Sequence, residues 1–415
     1  MLALDEVKRY LYLDYQLDLG YQEEEVFFGR VTTDSRDVQP GDLFVALAGE
    51  KFDGHDFVGK AVASGAKGVV IAKDMDVPNG VAKLLVEDTL KAYQALAAAY
   101  RKSKKKLKVI GITGSNGKTS TKDILAHCLG AKYRVAKTQA NFNNEIGLPK
   151  TILGIRDDTE IAVVEMGMRG LNQIRELCYI ARPESALITN VGVSHVEILG
   201  SRENIANAKR EILEGLNSDG YAVLNGDNVY TRKMGEECLA QPIYFGMQDS
   251  NDYYATDLVM HSEGTDFVCH ERISGHKVSV HMPLLGIHNV YNVLAAIAMA
   301  VCYGVDMAAS ANVLGSVQLS ERRLQIVKRG DVTFIDDSYN ANPHSMMAAL
   351  ETLKMVKDGS EKKYRCRSIA ILADMLELGD FAQKAHEQIG LMCKDIGVDY
   401  LITYGENAKN IYWAA

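Results

Sequence analysis

The residues with the clearest chemistry are Gly114-Ser115-Asn116-Gly117-Lys118-Thr119-Ser120, where the apolar run 109–113 breaks into glycines and then into helix-forming sequence. Glycines let backbone N–H groups crowd round an anionic phosphate, and the following helix presents its positive end. Lys118 adds a full charge, and Thr119 offers a hydroxyl to Mg²⁺. Only the short Gly-x-x-Gly-Lys-Thr core of the general template is met, because Ile112 stands where the template asks for its first glycine. Glu165 ends the buried-strand run Ile161-Ala162-Val163-Val164, and a carboxylate emerging there beside a triphosphate is a natural Mg²⁺ ligand. His195 closes a similar passage after 186–191; taken alone it reads as a hydrogen-bonded loop histidine, since imidazole is an unusual ligand for so hard an ion. Lys209 shares a helix face with Ile205, Ile212, Leu213 and Leu216. A lysine there either snorkels outward or meets a partner, and snorkelling is the default reading; if instead it faces the site, its pKa falls and the neutral amine becomes open to covalent modification.

The elements that must position these groups follow from the pattern. From Leu107 onward buried strands alternate with helices, predicting an α/β fold with a mainly parallel sheet covered on both faces, whose ligands collect at the C-terminal strand ends. The first hundred residues mix short strands and helices and close on a helix over 89–100. The run Arg101-Lys102-Ser103-Lys104-Lys105-Lys106 reads as a solvated linker. Within that region Asp34-Ser35-Arg36 and Asp53-Gly54-His55 look, by themselves, like turn-rich connections. Residues 244–282 resemble an antiparallel appendage. Asn289 and Asn292 share a helix face and read either as amides facing a base edge or as capping and surface asparagines. Near Arg322-Arg323 a third region begins; it runs through the strand 332–336 to the loop Asp337-Ser338-Tyr339-Asn340-Ala341-Asn342-Pro343, with Asn342 as helix N-cap and Pro343 at the first helical position. Further β–α units close the chain. The domains expected are 1–104, 105–318 and 319–415.

Bulk properties exclude several classes. A chain of 415 residues is too long for one ordinary core. Its net charge of −8 provides no basic field for nucleic acid. Seven scattered cysteines without a Cys-x-x-Cys pair suit reduced thiols. With no signal peptide and no membrane-length apolar run, the expectation is a cytoplasmic monomer without membrane insertion.

Taken together the motifs resemble the Mur ligases over essentially the whole chain. Gly114-Ser115-Asn116-Gly117-Lys118-Thr119 is similar to that family's phosphate loop, which accounts for Ile112. Asn141-Phe142-Asn143-Asn144-Glu145-Ile146-Gly147-Leu148-Pro149, the 337–343 loop and Leu372-Ala373-Asp374-Met375-Leu376-Glu377-Leu378-Gly379 resemble the branch that adds D-alanyl-D-alanine. The resemblance implies three domains: an N-terminal UDP-binding domain, a central phosphate-loop ATPase sheet and a C-terminal Rossmann-like domain. It implies an ATP-dependent ligase joining D-alanyl-D-alanine to UDP-N-acetylmuramoyl-tripeptide through an acyl phosphate, with Lys118, Glu165, His195 and Lys209 catalytic. It further implies that Gly114, Asn116, Gly117, Lys118, Thr119, Ser120, Asn289, Arg323 and Asp337 bind ATP. Two Mg²⁺ ions would be held by Thr119, Glu165 and His195, and Lys209 would be carbamoylated. Substrate would meet Ser35, Arg36, Asp53, His55, Asn141, Asn143, Asn144, Tyr339 and Asn340. Ala373 departs from the family's usual glycine, and the third domain is expected to be short at its end.

Other readings compete. A phosphate-loop switch usually offers an aspartate at the magnesium strand, where this chain has Glu165. Among ligases of the same superfamily, Asp34-Ser35-Arg36 argues against folylpolyglutamate synthesis, and residues 141–149 argue against the step that adds the third peptide residue. A non-catalytic scaffold is disfavoured by intact Lys118, Glu165, His195 and Lys209.

Overall fold

The computed structural model describes residues 2–11, 26–49, 51–261, 264–320, 322–358 and 366–415. The chain divides into two compact units. One comprises Met1–Leu107, Asn141–Thr159 and Glu176–Arg182, and the other Lys108–Ala140, Glu160–Arg175 and Pro183–Ala415.

In the first unit the strands Val31–Thr32, Leu43–Val45, Gly68–Ile71 and Ala82–Leu85 form a parallel sheet in that order. Alternate side chains feed two cores. Leu43, Val45, Val70 and Leu84 pack with Tyr93 and Leu96 of the helix Thr89–Ser103, while Phe44, Val69 and Ile71 pack with Val58 and Ala61 on the other face. Asp88 caps that helix, accepting from the amides of Leu90 and Lys91. The helix runs three residues past its expected end, taking in Arg101, which belongs to the interior rather than to a solvated linker. Its guanidinium donates to the carbonyls of Ala181 (3.0 Å) and Lys104 (3.2 Å), replacing the water it gives up. The helix Gly147–Leu153 packs against Thr89–Ser103, so residues 141–149 lie in this unit.

The second unit is built on a nine-stranded sheet. From one edge its order is Lys277–Met282, Gly264–Glu271, Tyr253–His261, Gln241–Gly246, Tyr221–Asn225, Ser185–Ile188, Lys108–Thr113, Ile161–Glu165 and Val135–Lys137. The strands from Gln241–Gly246 to Val135–Lys137 are parallel, and the three central ones are wholly or almost wholly buried, as a sheet with helices on both faces requires. The expected appendage is antiparallel internally but continues this sheet. Phe245 and Gly246 pair with Tyr253 and Tyr254, so the amide edge of Gln241–Gly246 finds partners. The helix Ile287–Cys302 is apolar almost all round; it is buried against the phosphate-loop helix Lys118–Leu129. Among the described residues no helix is long and apolar enough to cross a membrane.

The C-terminal part of this unit has its own core, in which Met346, Leu350, Ile389 and Ile411 are buried. Its elements include an antiparallel ribbon, Gln325–Arg329 with Val332–Asp336, and a parallel pair, Ile369–Ala373 with Tyr400–Tyr404. Asp123, on the phosphate-loop helix, accepts from the backbone amide and hydroxyl of Ser320 at 3.0 and 2.7 Å, tying the entry to this part to that helix. The buried Asp123 carboxylate is balanced by Lys137 at 2.7 Å and Lys122 at 3.5 Å.

Candidate active site

The phosphate loop leaves the strand Lys108–Thr113 through two positions only glycine fits. Gly114 has φ +151°, and a Cβ there would lie 1.9 Å from Thr189 Oγ1. Gly117 has φ +79°, and a Cβ would lie 2.5 Å from Asn292 Oδ1. The loop is clamped by the next strand's exit. Ser115 donates its amide to the Asn190 carbonyl (3.0 Å), Asn116 donates its amide to Asn190 Oδ1 (3.1 Å), and Ser115 Oγ accepts from the Gly192 amide (2.8 Å). Lys118 Nζ donates to the Gly114 carbonyl at 2.9 Å, so the ammonium lies over the loop it serves. Ser120, one residue beyond Thr119, is half-buried. Asn289 and Asn292 are buried rather than capping or surface residues. Asn289 donates to the Leu285 carbonyl and accepts from Asn292, whose Oδ1 takes the Thr121 hydroxyl and abuts Gly117.

Thr119 Oγ1 donates to Glu165 Oε2 at 2.9 Å and accepts from Arg323 Nη2 at 3.4 Å. Glu165 is 2% exposed, and its amide donates to Thr138 Oγ1. A hydroxyl and a buried carboxylate side by side give a hard-oxygen pair of the kind Mg²⁺ takes. Lys209 does not snorkel: it is 2% exposed, among the same buried stripe of Ile205, Ile212, Leu213 and Leu216. Burial, and then the charge of Lys118, hold its ammonium well below the usual lysine range. No carboxylate of the described residues pairs with it. Lys118 is lowered too, chiefly by burial and also by Arg323, against the opposing pull of Glu165. Positive groups are thus gathered closely enough to repel one another, an arrangement suited to an anionic ligand.

His195 sits in the left-handed region (φ 66°) at the start of the short helix Val196–Leu199. Its Nδ1 lies 2.5 Å from Glu377 Oε2, and Glu377 Oε1 lies 3.9 Å from Arg169 Nε. Burial keeps the imidazole below its ordinary pKa despite that carboxylate, and Lys209 and Lys118 push in the same direction. Glu377 was legible only as part of the motif 372–379, with no role assigned; the structure brings it from the C-terminal part onto His195.

The 337–343 loop approaches the same place. Asn342 caps the helix Pro343–Asp358 by accepting from the Ser345 amide, and its Nδ2 donates to Asn116 Oδ1 at 2.5 Å. Asp337 accepts from the Leu324 amide, and burial raises its pKa to about 6. Arg323 stacks on the Tyr339 ring, 3.8 Å from its centroid. Tyr339 and Asn340 are exposed and open to a ligand.

The first unit gathers a separate polar group. Asp34 holds Arg36 through a 2.7 Å ion pair and is itself held near pKa 2 by Arg36, with Lys150 of the helix Gly147–Leu153 adding to the effect. Ser35 between them is half-buried. This places the 141–149 segment beside the Asp34-Ser35-Arg36 loop. There Asn143 donates its amide to the Asn141 carbonyl, and Asn144 Oδ1 accepts from the Ile146 and Gly147 amides. Asp53 pairs with Lys73 and lies 2.5 Å from His55 Nδ1, while His55 Nε2 accepts from the Ala72 amide. Both ring nitrogens of the buried His55 are therefore occupied, and its visible work is to orient Asp53.

Comparison with known proteins matches three domain models along the chain: "Mur ligase family, catalytic domain" over residues 28–101, "Mur ligase middle domain" over 112–300, and "Mur ligase, glutamate ligase domain" over 322–415. The UDP-N-acetylmuramoyl-tripeptide–D-alanyl-D-alanine ligase of Bacillus subtilis (strain 168) is 41% identical over 389 residues, covering 93% of this chain and 82% of the relative. The chain belongs to the Mur ligase family. A crystal structure of MurF from Acinetobacter baumannii superposes on this Mur ligase with a TM-score of 0.89 at 30% identity, over 100% of this chain and 88% of that one. The Thermotoga maritima MurF ligase, solved in complex with ADP, superposes with a TM-score of 0.81 at 28% identity, over 95% of this chain and 87% of that one.

Proposed function

We propose that this Mur ligase joins D-alanyl-D-alanine to UDP-N-acetylmuramoyl-tripeptide, forming ADP and phosphate, in the synthesis of peptidoglycan precursors in the cytoplasm. The observation that carries the reading is the convergence of Lys118, Arg323 and the depressed Lys209 beside the buried Thr119–Glu165 pair. Activating a carboxylate means bringing it against a triphosphate, and only concentrated positive charge in a water-poor site makes that approach tolerable.

In the first step a carboxylate oxygen of the tripeptide attacks the γ-phosphorus. The bond from that phosphorus to the β-bridging oxygen breaks, and ADP leaves with the electron pair. In the second, the amine of D-alanyl-D-alanine attacks the acyl carbon, phosphate departs, and the amine's proton is lost to solvent or base. Lys118 and the amides of the loop bind the β- and γ-phosphates, and Arg323 adds charge from the C-terminal side. Asn342, bonded to Asn116, brings the 337–343 loop onto the phosphate loop and helps to shut water out where an acyl phosphate would hydrolyse.

The residues present fit magnesium. Thr119 and Glu165 offer hard oxygen donors at one position, and His195, oriented by Glu377 through Nδ1, keeps Nε2 for a second. Bound there, Mg²⁺ supplies charge neutralisation at the phosphate oxygens. Lys209 is carbamoylated in this reading: its neutral amine adds to CO₂ and loses a proton, turning a buried cation into a carboxylate. A depressed ammonium with no carboxylate partner among the described residues is the state that favours this. Asp34, Ser35, Arg36 and Asp53 serve the UDP-sugar from the first unit, with Asn141, Asn143 and Asn144 beside them; Asp337 and Asn289 serve the nucleotide. The test is ADP release measured with each substrate withheld in turn. The reading expects sustained release only with UDP-linked tripeptide and D-alanyl-D-alanine both present. Equal release with neither overturns it in favour of a nucleotide switch.

A further inference from the structure

We propose that this ligase carries a second kind of metal site, for a transition-metal dication of the zinc class, formed by His261, Asp266 and His281 on the antiparallel end of the central sheet. The three residues come from three adjacent strands, Tyr253–His261, Gly264–Glu271 and Lys277–Met282. Asp266 stands directly opposite His281 in one pairing and opposite Val259 in the other, so His261, two residues on from Val259, is its diagonal neighbour on the same face.

The side chains converge. His261 Nε2 lies 3.0 Å from Asp266 Oδ2 and His281 Nδ1 lies 2.7 Å from Asp266 Oδ1. The two imidazoles are nearly parallel, 10° apart with centroids separated by 5.9 Å, and one ligand atom from each of the three residues lies within 4.8 Å of the others. Zinc bonds of about 2.0–2.2 Å in tetrahedral array put ligand atoms roughly 3.3–3.6 Å apart, inside the range these atoms already span. Two imidazole nitrogens and one carboxylate oxygen form a borderline donor set, which selects zinc-class metals rather than the hard Mg²⁺ of the nucleotide site.

Without metal, each ring nitrogen facing Asp266 carries the proton of its hydrogen bond. A ring becomes a ligand once that proton leaves the nitrogen facing Asp266, to solvent or elsewhere on the ring, as metal ligation of imidazole requires. The fourth position is open to water. Three strands of the sheet stand between Tyr253–His261 and the phosphate-loop strand Lys108–Thr113, so the metal would clamp the sheet's outer strands and take no part in the ligation.

The experiment is a calorimetric zinc titration of the chelator-treated full chain under reducing conditions, with MgCl₂ and ADP filling the nucleotide site. It compares wild type with His261→Gln/His281→Gln and with Asp266→Asn, and retained ligase turnover shows that each variant is folded. Wild type is expected to bind one zinc equivalent more than the double variant, to be thermally stabilised by zinc where the double variant is not, and to bind at least tenfold more tightly than Asp266→Asn. Equal stoichiometry and affinity in wild type and double variant overturn the proposal and leave a hydrogen-bonded His–Asp–His ladder.

Discussion

Replacing Lys209 with methionine separates its chemistry from its packing. The side chain is 2% exposed, and methionine keeps most of its length while removing the ammonium. In the wild type that ammonium is held well below the usual lysine range, first by burial and then by Lys118. The folded chain therefore binds fewer protons there than the unfolded chain does. Stability rises with pH between the folded value and the unfolded lysine value of about 10.4, and is penalised below it. Removing the ionisable group is expected to stabilise the fold at neutral pH, by on the order of 1–4 kcal/mol if the range for exchanging a buried ion pair for apolar residues is taken as the guide. Urea unfolding at several values between about pH 6 and 9, in CO₂-free buffer, checks this. Lys209→Met should be more stable and show a flatter slope, while ligase turnover falls at least a hundredfold, ~2.7 kcal/mol at the transition state. Bicarbonate should then stabilise the wild type alone, since carbamoylation replaces the uncompensated cation with an anion facing Lys118. A variant with wild-type turnover, or two proteins with identical pH slopes and no response to bicarbonate, would refute the reasoning.

Three further outcomes follow from the same geometry. Gly117→Ala places a Cβ 2.5 Å from Asn292 Oδ1 at φ +79°. The left-handed backbone costs about 1–2 kcal/mol and the overpacking about 1–3 kcal/mol, to be read as a lowered urea midpoint together with weaker ADP binding. Asp337, raised to about 6, binds more protons folded than unfolded, so stability should fall as pH rises from about 4 to 6; Asp337→Asn should remove up to about 3 kcal/mol of that fall, measured by denaturant titration at both ends. Lys118→Ala should abolish ATP-dependent coupling, and a variant keeping a tenth of the wild-type rate, a loss of only ~1.4 kcal/mol, would remove the lysine from the mechanism.

Much of the site is written in local signals. The strand ending in Glu165, the cap at Asn342 and the placing of Lys209 on an apolar helix face follow from periodicity and turn chemistry, which one short stretch of chain can express; that Lys209 stays buried instead of snorkelling, the default, does not. What escaped was tertiary. Nothing local to Asn289 and Asn292 says that they are buried under the phosphate loop, because that depends on the helix Ile287–Cys302 packing on Lys118–Leu129. Arg101 looked like part of a charged linker, yet carbonyls at the end of a distant helix draw it inside. Glu377 meets His195 across 182 positions of sequence, a pairing that no spacing rule anticipates. The segment 141–149, read from its place in the chain as part of the ATPase region, lies in the unit that holds Asp34 and Arg36.

On the proposed function, this site gathers charge to activate a carboxylate with ATP. The most direct test is the fate of oxygen during turnover of UDP-linked tripeptide whose terminal carboxylate is labelled with ¹⁸O. Attack of that carboxylate on the γ-phosphorus, followed by displacement at the acyl carbon, carries one labelled oxygen into each phosphate released. Phosphate released without label while amide product accumulates would contradict the account.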